Sequence, residues 1–211
     1  MNKITRPQIR AFLAKYATTE MVLDVGSGGV DQDTIFPNRT TIDIDPARNP
    51  QIVGDAQAMP FKDESYDTIL CTEVLEHIPN PQKAIDEMYR VLRPGGTLIL
   101  TTRFLFPVHD APGDYWRFTP YGLRSLFTRW EILEEEVETD AFLTIAVLLQ
   151  RIMFQTDLRG GKITKGILLL VTYAFTKLDW LLVRRYGDIG RTDTVPVLMS
   201  SGVYIACRKQ G

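Results

Sequence analysis

Five short apolar runs constrain this chain more than any other feature. They are "MVLDV" (21–25), "TTIDI" (40–44), "QIV" (51–53), "YDTILCT" (66–72) and "GTLILTT" (96–102). Each is largely continuous rather than alternating, which is the pattern of strands covered on both faces. Between the fourth and fifth runs lies "NPQKAIDEMYRVLRPGG" (80–96). There Ala84, Ile85, Met88, Val91 and Leu92 fall on one helical face, and Pro94-Gly95-Gly96 stop the helix. Strand, helix, strand implies a parallel crossover, hence a mostly parallel α/β sheet. A further helix over 7–17, begun by Pro7, presents Ile9, Phe12, Leu13 and Tyr16.

The second half reads differently. "LRSLFTRW" finishes a helix that starts near Thr119-Pro120. "EILEEEVETD" (131–140) reads as a sixth strand whose six acids face water, and "SGVYIACRK" (201–209) as a last strand, hairpin-like beside it. The expected fold is therefore a single α/β domain over 1–211. It has a Rossmann-like, mostly parallel seven-stranded sheet, an antiparallel last strand, and an apolar helical insert (141–192) between the last two strands. A net charge of -2, from 24 basic and 26 acidic residues, gives no reason to expect nucleic acid. Cys71 and Cys207 sit apart in apolar runs, as buried free thiols do, and two histidines and two cysteines give zinc little support. The first twenty residues carry no apolar signal segment, so a cytoplasmic protein is expected.

The first strand runs into "LDVGSGG" (23–29). A glycine-rich turn after a first parallel strand is where nucleotide-like ligands sit, because the backbone can be approached closely there. Gly26 and Gly28 fit the first two positions of a dinucleotide fingerprint, but Asp31 stands at the third. Asp24, at the mouth of the strand, is poor company for a pyrophosphate. It suits a ligand with a cationic amine and no phosphate, which disfavours a nicotinamide-dependent oxidoreductase.

"VLDVGSGG", "TIDIDP", "GDAQAMPFKDESYDTILCTEVLEHI" and "RVLRPGGTLILTT" resemble, in order and spacing, the successive motifs of class I S-adenosylmethionine-dependent methyltransferases. The likeness is to the small-molecule branch that includes ubiquinone and menaquinone methylating enzymes, and it covers about residues 20 to 130. The resemblance implies S-adenosylmethionine as cofactor and S-adenosylhomocysteine as product. It places Asp24, Gly26, Ser27 and Gly28 at the methionine end and Asp43 on the ribose hydroxyls. Ile44 would lie on the adenine, Asp55 and the Ala56 amide at the adenine edge, and Thr72 and Glu73 below the sulfonium. From the residues alone, Asp43 is equally a turn residue before Asp45-Pro46, and Asp55 an Asx-turn after Gly54. The chain departs from the family in its short connections after the first and second strands, where the usual helices must be very short or absent.

Methyl transfer is an in-line displacement that needs alignment, exclusion of water and, for a hydroxyl or carbon acid, a base. The candidates are His77, His109, Glu73 and Asp110. His77 follows Glu73 by four, a spacing that would share a helical face. His109 lies in "FPVHDAPGDYWRFTPYG" (106–122), which leaves the fifth strand at its carboxyl end. Tyr115 and Arg117 are candidate acceptor contacts, with Arg117 suited to an anionic group. Trp116 and Phe118 are expected to hold the loop.

In the insert, "ITKGILLLVTYAFTKLDWLLV" (163–183) shows a narrow polar stripe of Lys165, Thr172, Thr176 and Asp179 on an apolar helix. Residues 151–191 hold eight basic against three acidic side chains. Such helices suit a membrane surface, a lid, a dimer interface or plain packing on the sheet. The function expected is methyl transfer to a small or lipid-linked acceptor, without nucleic acid and without a metal. The alternative is a membrane-peripheral or scaffold protein that keeps the fold and lacks methyl transfer.

Overall fold

The computed structural model describes residues 4–28 and 32–210. Gly29 and Asp31, counted in the glycine-rich turn, lie outside the described residues. Seven strands form one sheet: β1 (Val22–Val25), β2 (Arg39–Asp43), β3 (Ile52–Val53), β4 (Tyr66–Thr72), β5 (Leu92–Arg103), β6 (Trp130–Val137) and β7 (Gly202–Lys209). Their order is β3-β2-β1-β4-β5-β7-β6. The first five are parallel to one another, and β7 runs antiparallel to both its neighbours. The sheet class read from the sequence is therefore present. Because β7 runs opposite to β5 and β6, the ends of β1, β2, β4, β5 and β6 all emerge on one edge, with the start of β7 beside them.

Alternate side chains of the strands enter two cores. Leu23, Ile69, Cys71, Leu98, Leu100, Val203, Ile205 and Cys207 face α2 (Pro81–Val91) and α3 (Pro120–Ser125). Val22, Leu70, Ile99, Tyr204 and Ala206 face α1 (Arg6–Ala14), which contributes Phe12 and Leu13. Two-sided cover explains the continuous apolar runs. Both cysteines are buried and free.

α2 begins where the Asn80 side chain accepts from the Lys83 amide, with Pro81 in the first turn. It buries Ala84, Ile85, Met88 and Val91, while Leu92, expected on the same face, already opens β5. The chain turns sharply there, and Gly96 is needed: a Cβ would stand 2.8 Å from the Asp67 carbonyl oxygen. Among the described residues no helix separates β1 from β2, and only a 3-10 turn at Pro46–Arg48 separates β2 from β3.

The region between β6 and β7 holds α4 (Ala141–Gln155), α5 (Gly161–Phe175) and a 3-10 turn at Asp179–Leu181. Two expectations need correction here. The polar stripe does not run along one helix, since α5 ends at Phe175 and Thr176 caps it. Asp179 instead accepts from the Phe142 and Leu143 amides and so caps the start of α4. Thr172 is buried, while Leu170, at 71% exposure, faces outward. α5 leans on α4, not on the sheet, with Thr172 turned inward, Leu168 and Phe175 half-buried, and Lys165 in water. The six acids of 131–140 do not all face water either: Glu138 is buried beneath the strand ends. Met88 is fully buried against the sheet. Met88→Ala is expected to lower stability by about 2–5 kcal/mol with an unchanged denaturant slope, as read by urea unfolding.

Candidate active site

The carboxyl edge of the sheet carries nearly every residue singled out from the sequence. At the end of β1, Gly26 has φ +67° and its amide donates to the Ile42 carbonyl at 2.7 Å. A Cβ on Gly26 would overlap the Val74 side chain, so the turn packs directly on the chain after β4. Gly28, also at positive φ, faces open space, and its amide donates to Asp43 Oδ2 at 3.0 Å. Ser27 is buried between them. Asp43 Oδ1 accepts from the Asp45 amide, and Asp55 Oδ1 from the Gln57 amide at 2.8 Å. Both carboxylates thus make the local turns the sequence allowed, and both sit at strand ends. Ile44 stands 69% exposed beside Asp43, an apolar side chain with nothing over it. Ala56 follows Asp55, half-buried against the core. Thr72 closes β4, and Glu73 stands next to it.

An adenosine-type cofactor fits this edge at three points: the open backbone over Gly28, the half-buried carboxylates of Asp43 and Asp55, and the bare Ile44. Asp24 fits less well. Its carboxylate is buried and accepts from Arg39 at 2.6 Å, so an arginine stands where a ligand ammonium was expected. Burial pushes Asp24 up to about 6, with Arg39 opposing the rise.

Glu73 and His77 do not share a helical face. Glu73 has φ +60°, and only a single 3-10 turn, Leu75–His77, follows. Glu73 instead accepts from Thr101 Oγ1 at 3.1 Å and pairs with Arg103. Burial still pushes it up to about 8, against the pull of Arg103. His77 Nδ1 faces the Gly113 carbonyl at 2.6 Å, and its ring meets that of His109 edge-on, centroids 4.7 Å apart. Burial draws His109 below the ordinary histidine value, which keeps the ring neutral near pH 7.

The loop 106–118 is clamped onto the 3-10 turn. The Tyr115 and Trp116 amides both donate to the Glu76 carbonyl, at 2.9 and 3.1 Å, and Trp116 Nε1 donates to the Ile78 carbonyl at 3.0 Å. Phe118 is buried, and its amide donates to the Arg103 carbonyl. Trp116 and Phe118 do hold the loop. Arg117 does so too: it donates to both Asp114 oxygens and to the carbonyls of Phe106, Pro107 and Trp116. All five guanidinium hydrogens face acceptors, so Arg117 positions the loop and has none left to clamp a substrate anion. It holds Asp114 down at about 2. Tyr115 stands 53% exposed at the rim. A separate groove of about 600 Å³ lies between α3, β6 and Pro196, lined by Tyr121, Arg124, Glu135 and Val137, and none of the candidate site residues lines it.

Sequence reasoning missed Glu76, Arg103 and Glu138. Arg103 is buried and pairs with Glu73 and, at 2.7 Å, with Glu138. The available signal was an arginine closing an apolar strand, which requires buried acids.

Residues 23–100 match the family model described as a methyltransferase domain. Over 77 residues the chain is 39% identical to the demethylmenaquinone methyltransferase of Paenarthrobacter aurescens, a stretch covering 36% of this chain and 28% of that protein. The chain thus spans well under two thirds of the length of this relative. A putative methyltransferase from Bacillus halodurans superposes with a TM-score of 0.58 at 18% identity, over 95% of this chain and 98% of that one. The cyclase SpnF superposes equally, TM-score 0.58 at 19% identity, over 96% and 80%. At such identities these structures establish the fold. The strand order and the strand-end motifs thus coincide with a region, residues 23–100, that is similar to methyltransferase domains.

Proposed function

We propose that this protein transfers a methyl group from S-adenosylmethionine to a small or lipid-linked acceptor admitted beside His109 and Tyr115. The observation that carries the reading is a convergence. The Gly26–Gly28 turn, Asp43 and Asp55 share one sheet edge with a neutral, half-buried histidine. When bound, the cofactor supplies an electrophilic methyl carbon, so the protein's task is alignment and dryness. In this reading Asp43 accepts from ribose hydroxyls, Ile44 covers the adenine, and Asp55 with the Ala56 amide reads the adenine edge. Thr72 and Glu73 face the sulfonium. His109 accepts the acceptor's proton, with Asp114 Oδ2, 3.5 Å from Nδ1, stabilising the imidazolium that forms. His77 braces that ring. The likeness to a demethylmenaquinone methyltransferase supports a quinol-type acceptor.

The outward face of the insert supports a lipid-linked acceptor. Ile163, Ile167, Leu170, Tyr173 and Trp180 are exposed together, flanked by Arg159, Lys162, Lys165 and Lys177. No helix among the described residues is long and apolar enough to cross a membrane. An apolar face with basic flanks lies on an anionic bilayer surface. These features support membrane contact of the insert over a dimer interface or a lid.

The cyclase on the same fold makes cofactor binding the first test. Isothermal titration should show S-adenosylhomocysteine binding one to one, and Asp43→Ala should weaken it about tenfold or more. No binding to the intact protein would favour the fold without methyl transfer.

Glu73 gives a pH signature. Its folded value, about 8, lies above the ordinary 4.5. The stabilising effect of its proton is therefore full below 4.5 and lost as pH rises through 8. A sulfonium beside it favours the ionised form, so affinity for S-adenosylmethionine should climb with pH and level off above about 8. The neutral thioether of S-adenosylhomocysteine should show no such climb from this group, and Glu73→Gln should erase the difference. Parallel pH profiles for both ligands in the intact protein would remove Glu73 from the sulfonium's surroundings.

On vesicles, the protein should pellet with anionic phosphatidylglycerol liposomes at low salt and be released by salt. Leu170→Asp with Trp180→Ala should abolish pelleting while leaving S-adenosylhomocysteine binding intact. Absence of pelleting at low salt would sink the membrane reading.

A further inference from the structure

One carboxylate oxygen of Glu76 and one ring nitrogen each of His77 and His109 lie within 4.8 Å of one another. The 3-10 turn after β4 supplies the first two, and the loop after β5 folds back to supply the third. Glu76 is wholly buried. Its Oε2 accepts from Thr102 Oγ1 at 2.8 Å, but its Oε1 has no hydrogen-bond partner. That orphan oxygen points at His109 Nε2 across 4.0 Å, too far for a hydrogen bond. A buried carboxylate oxygen left in this way costs free energy unless something satisfies it.

A cation shared between that oxygen and the two imidazoles would do so. His77 Nδ1 faces the Gly113 carbonyl at 2.6 Å, and His109 Nδ1 faces the Pro107 carbonyl at 3.3 Å, with Asp114 Oδ2 close by at 3.5 Å. A carbonyl oxygen can only accept, so each Nδ1 carries the hydrogen and each Nε2 keeps its lone pair. This is the outer-shell arrangement that orients metal-binding imidazoles. The surroundings are also rich in acid, since Glu73 and Glu138 lie nearby with Arg103 between them.

We infer that Glu76, His77 and His109 form a binding site for a divalent transition-metal cation. Two imidazoles and one carboxylate suit zinc, manganese or iron(II) and leave coordination positions open. If the methyltransferase reading above holds, on which this role rests, the open positions face the acceptor: the cation binds the acceptor's oxygen and lowers its pKa, the proton leaves to solvent, and in the metal-loaded protein His109 is a ligand in place of a base. The count of cysteines and histidines gave no hint of this, because the third ligand is a glutamate brought in by the fold.

The test uses the whole protein, stripped with a chelator, with Co²⁺ and Zn²⁺ as probes. Titration should show one Co²⁺ bound per chain, with a visible ligand-field band and displacement by Zn²⁺. His109→Ala should weaken binding about tenfold or more. His109→Ala leaves the buried core intact, whereas Glu76→Gln risks the fold, so Glu76→Gln is used only where its unfolding curve matches the parent. Asp86→Ala, at an exposed acid on α2 away from the cluster, should bind as the parent does. No binding by the stripped parent, or equal affinity in His109→Ala, overturns the site. S-adenosylhomocysteine binding is measured in the same samples. A metal bound without the nucleoside overturns the methyltransferase reading alone, and the nucleoside bound without metal overturns this site alone.

Discussion

Arg103 is the buried charge on which the carboxyl edge depends. It closes β5 at 5% exposure, and a guanidinium so placed must be paired. It draws Glu73 in from the end of β4 and Glu138 from the end of β6, and its plane lies over the Phe106 ring, 4.2 Å from the centroid. Glu138 in turn accepts from the Tyr204 hydroxyl at 2.7 Å and the Ser201 hydroxyl at 2.5 Å, which adds the start of β7. One cation thus ties four strand ends together. Removing one partner of such a set leaves a buried charge uncompensated, at a cost of about 3–5 kcal/mol.

The loop 106–118 is a second layer built on that edge. Its amides and carbonyls are spent on the turn at 75–77, on Arg103 and on Arg117. His109 therefore does not hang from a free loop. Its backbone amide donates to Asp114 Oδ2 at 2.9 Å, and Asp114 is fixed by Arg117. An imidazole on such a frame keeps its orientation without help from any ligand.

What was legible in the sequence follows from what local pattern can encode. β4 spans Tyr66–Thr72 as its apolar run implied, and α2 starts at its Asn80-Pro81 signal. Two-sided burial writes itself into contiguous residues. The glycine turn and the strand-end acids were legible for the same reason, since each sits at a fixed offset from a strand. The failures lie where distant partners decide. Glu138 looked like one more acid in "EEEVETD", and Arg103, thirty-five positions away, puts it inside with Ser201 and Tyr204. Arg117 looked free until Asp114 and three carbonyls claimed its hydrogens. Thr172 of α5 is an inward residue because the partner of that helix is α4 rather than the sheet.

The insert and the site are not independent. Arg151 of α4 lies over the Phe106 ring at 4.4 Å, while Arg103 lies over the same ring at 4.2 Å. Gln155, the last residue of α4, donates to the Val108 carbonyl, one residue before His109. The capping of α4 by Asp179 ties its other end to the segment that follows α5. α4 therefore touches both α5 and the His109 loop. The outward face of α5 and the loop that carries His109 are thereby packed on the same helix, α4, which buries Ala146, Val147 and Met153 between them and the rest of the fold.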